Sequence, residues 1–299
     1  MESLSKKQFE ILTCLERSKG KMKQREIAEQ TGISLGTVNR TLSALGGQGL
    51  VQDNAITEMG LQALEPYRVR RAIFIAAGFG HRLVPITLNT PKPLVRVKGT
   101  RMIDTMLDAV VAAGIEEIYV VRGYLGEQFD QLLYRYPMIH LVDNPLYNEA
   151  NNISSAMCVR PLFRNAYVLD ADLILQNPAL IRKYEYQSCL LGIPVERTDD
   201  WCVTADKNGY ADQVSVGGVD GYREVGIFYW NAQDGEKMAE DLQAVFDSPG
   251  GKERFWEQTP LIYKKENYKV AICPCSASDV VEIDTLGELK QIDKSYDLL

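Results

Sequence analysis

The spacing of apolar positions changes near residue 68 of this 299-residue chain. Before that point, apolar side chains recur every three or four residues, which predicts short amphipathic helices, and two brief apolar runs predict a pair of strands. After it, apolar runs typical of buried strands alternate with helical patterns. We therefore expect two domains, residues 1–68 and 69–299, connected without a Gly-, Ser- or Pro-rich linker.

The first domain is predicted to contain three helices, a strand pair and a closing helix. These elements are expected at residues 9–15, 24–31, 34–43, 50–51, 56–57 and 61–64. Gly32 supplies the turn between the second and third helices, and Ser34 is a favourable N-cap for the third. This order resembles a winged helix-turn-helix domain, and residues 24–40 resemble the helix-turn-helix of bacterial regulators.

On this resemblance the third helix is the recognition helix. Its side chains that could reach base edges or phosphates are Thr37, Asn39 and Arg40. Residues 1–70 carry ten Lys/Arg and eight Asp/Glu, a net charge of +2, whereas DNA-binding domains usually have a stronger basic face. The sequence therefore leaves two roles open for this domain: DNA binding, or dimerisation and docking.

Strands and helices are expected to alternate in the second domain up to about residue 186. Strands are predicted at 73–76, 117–121, 140–142 and 166–169, and helices at 102–113, 125–136 and 153–159. This alternation predicts an α/β fold with a mostly parallel sheet and helices on both faces. Short strands at 189–194, 213–216 and 225–230, with turns at 207–209 and 217–218, predict an antiparallel addition that closes over the ligand crevice.

A glycine-rich loop containing Ala77, Gly78 and Gly80 follows the first of these strands. Such a loop lets backbone N–H groups approach a polyphosphate, and the cations Arg82 and Lys92 follow it. The combined pattern G-x-G-x-R-x(9)-K-P resembles the signature of nucleotidyltransferases. The structural alternative is a strand–turn–helix corner that needs glycine, but such a corner requires neither the arginine nor the lysine.

Acidic residues follow two of the apolar runs. Asp170 and Asp172 come after the strand at 166–169, which we expect to end there so that only one of the two faces the crevice. Asp284 follows a second apolar run. Mg²⁺ usually takes one or two carboxylates, with phosphates and water completing its shell. We predict Asp172 and Asp284 as Mg²⁺ ligands, the alternative being solvated carboxylates at strand ends.

From residue 71 onward the chain resembles the bacterial CTP:phosphocholine cytidylyltransferases, members of the nucleotidyltransferase superfamily with a Rossmann-like fold. The matching segments are the glycine-rich loop, residues 123–124, 127–129, 148–149, 151–153 and 168–172, Trp201, and residues 226–230, 255–257 and 282–284. This resemblance implies the Mg²⁺-dependent reaction of CTP with phosphocholine to give CDP-choline and pyrophosphate.

The resemblance also implies roles for individual residues. Arg82 and Lys92 would meet the triphosphate, and Asp172 and Asp284 would hold the metal. The remaining nucleotide-binding residues would be Asp170 and, at the base, Asn144, Asn151 and Asn152. One position departs from the family, because the lysine expected near the acceptor phosphate is Arg197 here. Arginine can still clamp a phosphate in fork geometry.

The ammonium end of the acceptor is expected to meet aromatic side chains, since tryptophan faces bind quaternary ammonium groups by cation–π attraction. The predicted acceptor pocket consists of Trp201, Tyr229, Trp256 and Glu257. Trp230 ends an alternating strand and is expected in the core. A primary amine, as in 2-aminoethylphosphonate, favours carboxylate hydrogen bonds, which Asp199, Asp200 and Glu257 could supply. The sequence leaves both acceptors open.

Two other functions are weighed against these. A sugar-1-phosphate nucleotidyltransferase belongs to the same class, but the later segments match the choline group better. A DNA-binding regulator that uses a transferase-like domain as a ligand sensor belongs to a different class. The retained residues Arg82, Lys92, Asp172 and Asp284 argue against such a degenerate site.

Composition excludes several further classes. No apolar run reaches the ~20 residues of a membrane helix, and the first residues lack the apolar core of a signal peptide. Six cysteines are scattered and only two histidines occur, so no zinc site is predicted. We expect a cytoplasmic protein without a membrane partner, acting on CTP and a small phosphorylated amino alcohol. Whether it forms a homodimer stays open.

Overall fold

The structure is a computed structural model in which residues 3–297 are described. The described chain forms two compact units. The first runs up to Arg68 and takes in Tyr184–Tyr186, and the second comprises Val69–Lys183 and resumes at Gln187. None of the described helices is long and apolar enough to span a lipid bilayer.

The first unit has the order of elements of a winged helix-turn-helix. Its elements are α1 (Lys6–Ser18), α2 (Gln24–Thr31), α3 (Leu35–Gly47), β1 (Val51–Gln52), β2 (Ala55–Ile56) and α4 (Glu58–Leu64). The predicted second helix is confirmed with its bounds, and α3 begins directly after Ser34 in the N-cap position. The core is closed by fully buried side chains such as Ile11, Leu15, Ile27 and Val38, which recur at helical spacing.

Residues 184–186 contribute aromatic rings to this first unit. Tyr186 stacks on Tyr67 with ring centroids 5.6 Å apart, and Phe9 packs on both rings. The Tyr186 hydroxyl donates a hydrogen bond to the Leu4 carbonyl at 3.1 Å, and the Leu4 N–H donates to the Tyr67 hydroxyl at 3.0 Å. Tyr184 is buried in the same hydrophobic core. A segment distant in sequence therefore completes this unit.

The second unit is an α/β structure, as the alternating pattern predicted. Its strands are β3 (Arg71–Ile75), β4 (Arg96–Val97), β5 (Thr100–Arg101), β6 (Glu117–Arg122), β7 (Ile139–Asp143), β8 (Ala166–Asp170), β9 (Leu173–Leu175), β10 (Cys189–Ala205), β11 (Ala211–Trp230), β12 (Ala271–Pro274) and β13 (Val280–Glu282). Its helices are α5 (Met102–Ala112), α6 (Ile153–Val159), α7 (Ala232–Phe246) and α8 (Leu286–Ile292).

Seven strands form the central sheet, in the order β12-β10-β11-β8-β3-β6-β7. The neighbours β8, β3, β6 and β7 are parallel, whereas β11 runs antiparallel to both β8 and β10. Side chains of β3 alternate between the faces: Phe74 packs in one core with Ile103 of α5, and Ile73 packs in the other with Ala156 and Met238. The predicted Rossmann-like sheet with two covered faces is confirmed.

The antiparallel addition differs from the prediction of separate short strands. β10 and β11 are long and form one hairpin, which folds back on itself. Cys202 of β10 pairs with Ser215 on one side and with Arg223 on the other. A Cβ at Gly218 would lie 2.6 Å from Cys202 Sγ, so glycine is needed for this close approach. The predicted turn at 217–218 is a bend within β11.

The predicted helix at 125–136 is wrong in type. Residues Gly126–Tyr134 form a 3₁₀ helix, entered through Leu125 in the left-handed region at φ 48°. Its two buried apolar side chains, Phe129 and Leu132, lie three residues apart. This spacing suits the three-residue turn of a 3₁₀ helix, so both side chains face the core.

Candidate active site

A crevice of about 440 Å³ lies beyond the carboxyl ends of β3 and β8. The glycine-rich loop lines it with Gly78 and Gly80, and the Thr87 hydroxyl holds that loop by donating to the Gly80 carbonyl at 2.9 Å. Both Asp170 and Asp172 line the crevice, so the expectation that only one would face it is wrong. β8 ends at Asp170, and the chain bends there.

The predicted phosphate-binding and metal-binding residues meet at one point of this crevice. Lys92 is 8% exposed, and its Nζ donates to Asp172 Oδ2 at 2.7 Å and to Asp284 Oδ1 at 2.8 Å. Arg82 Nη2 lies 2.8 Å from the same oxygen of Asp284, with the arginine largely exposed. Burial lowers the pKa of Lys92 and the two carboxylates raise it, with a net rise. Lys92 is therefore charged at neutral pH.

This arrangement fits a divalent cation, which nucleotidyltransferases generally use. Two hard carboxylate oxygens converge within hydrogen-bond distance of a single ammonium, so they can also converge on a metal ion. No cluster of three or more potential metal ligands exists among residues 3–297. Two carboxylates are nevertheless enough for Mg²⁺, because phosphates and water complete its shell. Asp172 and Asp284 remain the predicted ligands.

Seven carboxylates line the crevice in the described part of the chain. They are Asp170, Asp172, Asp200, Glu224, Glu257, Glu282 and Asp284. Burial and the charges of neighbouring carboxylates raise the pKa of Asp170 and of Glu224 well above their usual values. Burial, followed by neighbouring carboxylates, raises the pKa of Glu257 and of Glu282 to about 7. The crevice is therefore short of positive charge.

Gly226 places two of these carboxylates. It adopts φ +68°, and a Cβ there would lie 2.5 Å from Asp170 Oδ2. Its N–H donates to the Glu224 carboxylate. Only glycine allows the backbone to pass this close to Asp170, so the bulged course of β11 at this residue brings Asp170 and Glu224 into one site.

A second cavity of about 540 Å³ adjoins the glycine-rich loop and contains the asparagines predicted to read the base. Asn144, Asn151 and Asn152 all line it. The Asn144 amide already donates to Ser154 and Ser155, and its carbonyl accepts from the Leu146 N–H. Because its amide and carbonyl are already hydrogen-bonded within the protein, Asn144 supports the wall of the cavity in this structure. Asn151 and Asn152 form hydrogen bonds with residues in the segment 253–257.

Two residues that were predicted to line the acceptor pocket are buried in the core instead. Trp256 is only 1% exposed and packs edge-on against Phe228, with centroids 5.0 Å apart. Tyr229 is also 1% exposed and packs against Tyr167. Both predictions are wrong because each ring faces a core of the sheet. Trp230, expected in the core, is fully buried.

Trp201 and Glu257 do line the crevice, as predicted. Trp201 packs edge to face against Phe255, with ring centroids 5.8 Å apart, and both residues line the crevice. Phe255 is adjacent in sequence to Trp256, which was the residue predicted for this pocket. The described lining of the crevice therefore includes one tryptophan, one phenylalanine and several carboxylates.

Arg197 does not join the crevice. It is exposed on the hairpin, where it pairs with Val219, and the prediction that it reaches the acceptor finds no support in this geometry. A cation that the sequence did not single out lies nearer. Arg223 Nη1 is 3.2 Å from Glu282 and 3.9 Å from Asp200, both of which line the crevice.

The predicted DNA contacts lie together on α3 of the first unit. Asn39 and Arg40 are exposed, and Thr37 is half-buried. Thr37 accepts a hydrogen bond from the Ser34 hydroxyl at 2.9 Å, and Arg40 Nη2 donates weakly to Thr37 at 3.5 Å. Two side chains of the predicted recognition surface are thus presented to solvent.

Comparisons with known proteins agree with both units. Residues 71–190 match the nucleotidyl transferase family, and residues 4–52 match the winged helix-turn-helix DNA-binding family. A 2-aminoethylphosphonate cytidylyltransferase of Lancefieldella rimae is 36% identical over 75% of this chain and 92% of that protein. A choline-phosphate cytidylyltransferase of Haemophilus influenzae is 28% identical over 74% of this chain and 95% of that protein.

A solved structure of the CTP:phosphocholine cytidylyltransferase of Streptococcus pneumoniae superposes with a TM-score of 0.70 at 28% identity. It covers 76% of this chain and 99% of that one. The sheet, the glycine-rich loop and the paired aspartates thus belong to a nucleotidyltransferase preceded by a winged helix-turn-helix. The chain is a member of the cytidylyltransferase family of these enzymes.

Proposed function

We propose that this enzyme transfers the cytidylyl group of CTP to 2-aminoethylphosphonate and releases pyrophosphate. The observation that carries the choice of acceptor is the lining of the crevice, where the described residues include seven carboxylates and a single tryptophan. The similarity to the Lancefieldella rimae enzyme, which is named for this acceptor, supports the same choice.

The reaction needs no protein nucleophile. An oxygen of the acceptor's phosphonate attacks the α-phosphorus of CTP in line, and the bond from that phosphorus to the bridging oxygen breaks. Pyrophosphate leaves with the bonding electron pair. A phosphonate is already anionic at neutral pH, so catalysis is a matter of positioning and of stabilising charge. Lys92 and Arg82 offset the charge that develops on the departing pyrophosphate.

The metal fits the same part of the crevice. Bound Mg²⁺ would supply Lewis-acid stabilisation of the phosphoryl oxygens, with Asp172 and Asp284 as its protein ligands. The N–H groups of the glycine-rich loop would hold the triphosphate, and the cavity lined by Asn151 and Asn152 would take the cytosine.

Carboxylates favour a primary ammonium over a trimethylated one. A primary ammonium has three N–H donors for Asp170, Glu224 and Glu257, whereas a trimethylammonium has none. Among residues 3–297, none of these three carboxylates has a cationic partner within ion-pair distance. Their raised pKa values show that the site disfavours unbalanced negative charge, so an incoming ammonium relieves it.

Phosphocholine is the second candidate. The pair formed by Trp201 and Phe255 favours it, because aromatic surfaces attract a quaternary ammonium by ~0.5–2 kcal/mol. The similarity to the choline-phosphate enzymes at 28% identity points the same way.

A direct competition separates the two acceptors. The full-length enzyme receives limiting CTP, Mg²⁺ and equal concentrations of 2-aminoethylphosphonate and phosphocholine, and mass spectrometry measures both products. We expect the aminoethylphosphonate product to exceed CDP-choline by about tenfold or more, which corresponds to ~1.4 kcal/mol. An excess of CDP-choline would overturn the proposed acceptor. Replacing CTP by ATP in a parallel reaction controls for base specificity.

A further inference from the structure

The charge of the crevice raises a problem for any acceptor that carries a phosphonate or phosphate. Among the described lining residues, the cations are Arg82 and Lys92. Both are already engaged: Lys92 holds Asp172 and Asp284, and Arg82 holds Asp284. These two cations also face the triphosphate of CTP. A dianionic acceptor therefore needs positive charge from elsewhere.

Arg223 is a further cation beside two carboxylates that line the crevice. Its Nη1 donates to Glu282 Oε2 at 3.2 Å and lies 3.9 Å from Asp200 Oδ2. Within residues 3–297, its Nε and Nη2 atoms donate no hydrogen bond. By contrast, Arg122 uses both Nε and Nη1 on Asp143, Asp130 and the Gly126 carbonyl. Arg223 is thus a partly buried guanidinium that keeps donors for a ligand.

The folded hairpin fixes this arginine. The backbone of Arg223 pairs with Ile193 on one side and with Cys202 on the other, because β10 passes it twice. The next residue, Glu224, lines the crevice itself. A side chain that starts from a doubly paired strand loses less conformational freedom on binding, so Arg223 is pre-organised beside Glu282 and Asp200.

Resting on the proposed transfer to a phosphonate, we propose that Arg223 binds the phosphonate of the acceptor and orients its attacking oxygen. Glu282 and Asp200 hold the guanidinium at the crevice in the free enzyme. When the acceptor enters, the planar fork of Arg223 presents Nε and Nη2 to two phosphonate oxygens. In this proposal Arg223 contacts the acceptor's phosphonate, the role that the family resemblance implied for Arg197.

The test compares four variants of the full-length protein: Arg223→Gln, Arg223→Lys, Arg197→Gln and Lys207→Gln. Lys207 is exposed at the turn of the same hairpin and serves as the matched control. Steady-state kinetics give KM for acceptor and for CTP separately. Ethylphosphonate, which lacks the amine, is measured as an inhibitor competing with the acceptor.

Arg223→Gln should raise the acceptor KM and the ethylphosphonate Ki by similar factors of about 10- to 100-fold, the loss expected for charge-assisted hydrogen bonds. The KM for CTP should change by less than about threefold, which is less than the loss of one such hydrogen bond would cause. Arg223→Lys should recover part of the lost affinity for the acceptor and for ethylphosphonate. A merely structural role of Arg223 would not predict the recovery of ethylphosphonate binding. Lys207→Gln should match the wild type.

An acceptor KM and an ethylphosphonate Ki that stay near wild type in folded Arg223→Gln would overturn the proposal. So would an equal loss of CTP binding, or an effect confined to Arg197→Gln. The outcome is independent of the proposed acceptor, because phosphocholine carries the same kind of dianion. If the enzyme prefers phosphocholine, the same variants are measured with it, and only the assignment of the amine fails.

Discussion

Replacing Lys92 by methionine tests the ion cluster at the centre of the site. The Lys92 ammonium lies 2.7 Å from Asp172 and 2.8 Å from Asp284, with little exposure to solvent. It therefore occupies the carboxylate oxygens that are predicted to bind a divalent cation. A hydrogen bond to a charged group contributes ~1.5–3 kcal/mol. Lys92→Met should accordingly tighten divalent-metal binding to the nucleotide-free enzyme by roughly 10- to 100-fold, while turnover falls.

The assay is thermal unfolding of the nucleotide-free protein across a Mg²⁺ titration, with Mn²⁺ calorimetry for the dissociation constant. Without metal, Lys92→Met should be destabilised by about 3–5 kcal/mol, because Asp172 loses its counter-charge and Asp284 keeps only the exposed Arg82. Added Mg²⁺ should restore much of that loss, since a ligand of the native state stabilises it by mass action.

Lys92→Arg is the matched control, since it keeps the charge and should keep weak metal binding. Metal affinity that stays equal to or below that of the wild type in a folded Lys92→Met protein would contradict this prediction. It would show that Asp172 and Asp284 do not form a common metal site at this point.

Three further predictions follow from the site and from α3. Gly226→Ala should cost about 1–2 kcal/mol of stability from its left-handed backbone and lower activity by pushing Asp170 aside; unchanged urea unfolding and turnover would contradict this. Because the Glu257 pKa is raised to about 7, the folded state binds its proton more tightly than the unfolded chain, and ionisation destabilises the fold as pH rises from about 4.5 to 7. Glu257→Gln should thus have a higher melting temperature than wild type at pH 8, with the difference disappearing at pH 4; a difference independent of pH would contradict the assignment. Asn39→Ala and Arg40→Ala should each weaken binding to DNA selected from a random library, whereas Glu29→Gln should not; equal binding by all variants would remove α3 as the DNA contact.

The local parts of the site could be predicted from the sequence. The glycine-rich loop, Arg82 and Lys92 lie on one stretch of chain, and the strand pattern shows which end of the sheet they occupy. Asp172 follows β8 of the central sheet, and ligands of such sheets bind beyond the carboxyl ends of the strands. Asp284 follows β13, which pairs with β9 outside that sheet, so its pairing with Asp172 came from the family resemblance. Their separate contacts with one lysine agree with that pairing.

The other features of the site and fold could not be predicted. They depend on which of two neighbouring side chains faces outward and on pairing between segments that are distant in sequence. Period-two alternation does not say which of Phe255 and Trp256 faces outward at the end of a loop. It also fails for Tyr229, because a central strand covered on both faces buries every side chain. Arg223 lies beside Asp200 and Glu282 on a hairpin that folds back on Cys202, and no local sequence pattern predicts such pairing. Residues 184–186 join the first unit for the same kind of reason.

Stepwise methylation of the acceptor's amine distinguishes carboxylate recognition from aromatic recognition most directly. The enzyme is given 2-aminoethylphosphonate and its N-methyl, N,N-dimethyl and N,N,N-trimethyl derivatives, and kcat/KM is measured for each at saturating CTP and Mg²⁺. Carboxylate recognition predicts a fall with each methyl group and the largest loss for the trimethyl compound, which has no N–H donor. A rise toward the trimethyl compound would rule out carboxylate recognition and assign the crevice to a choline-like acceptor held by Trp201 and Phe255.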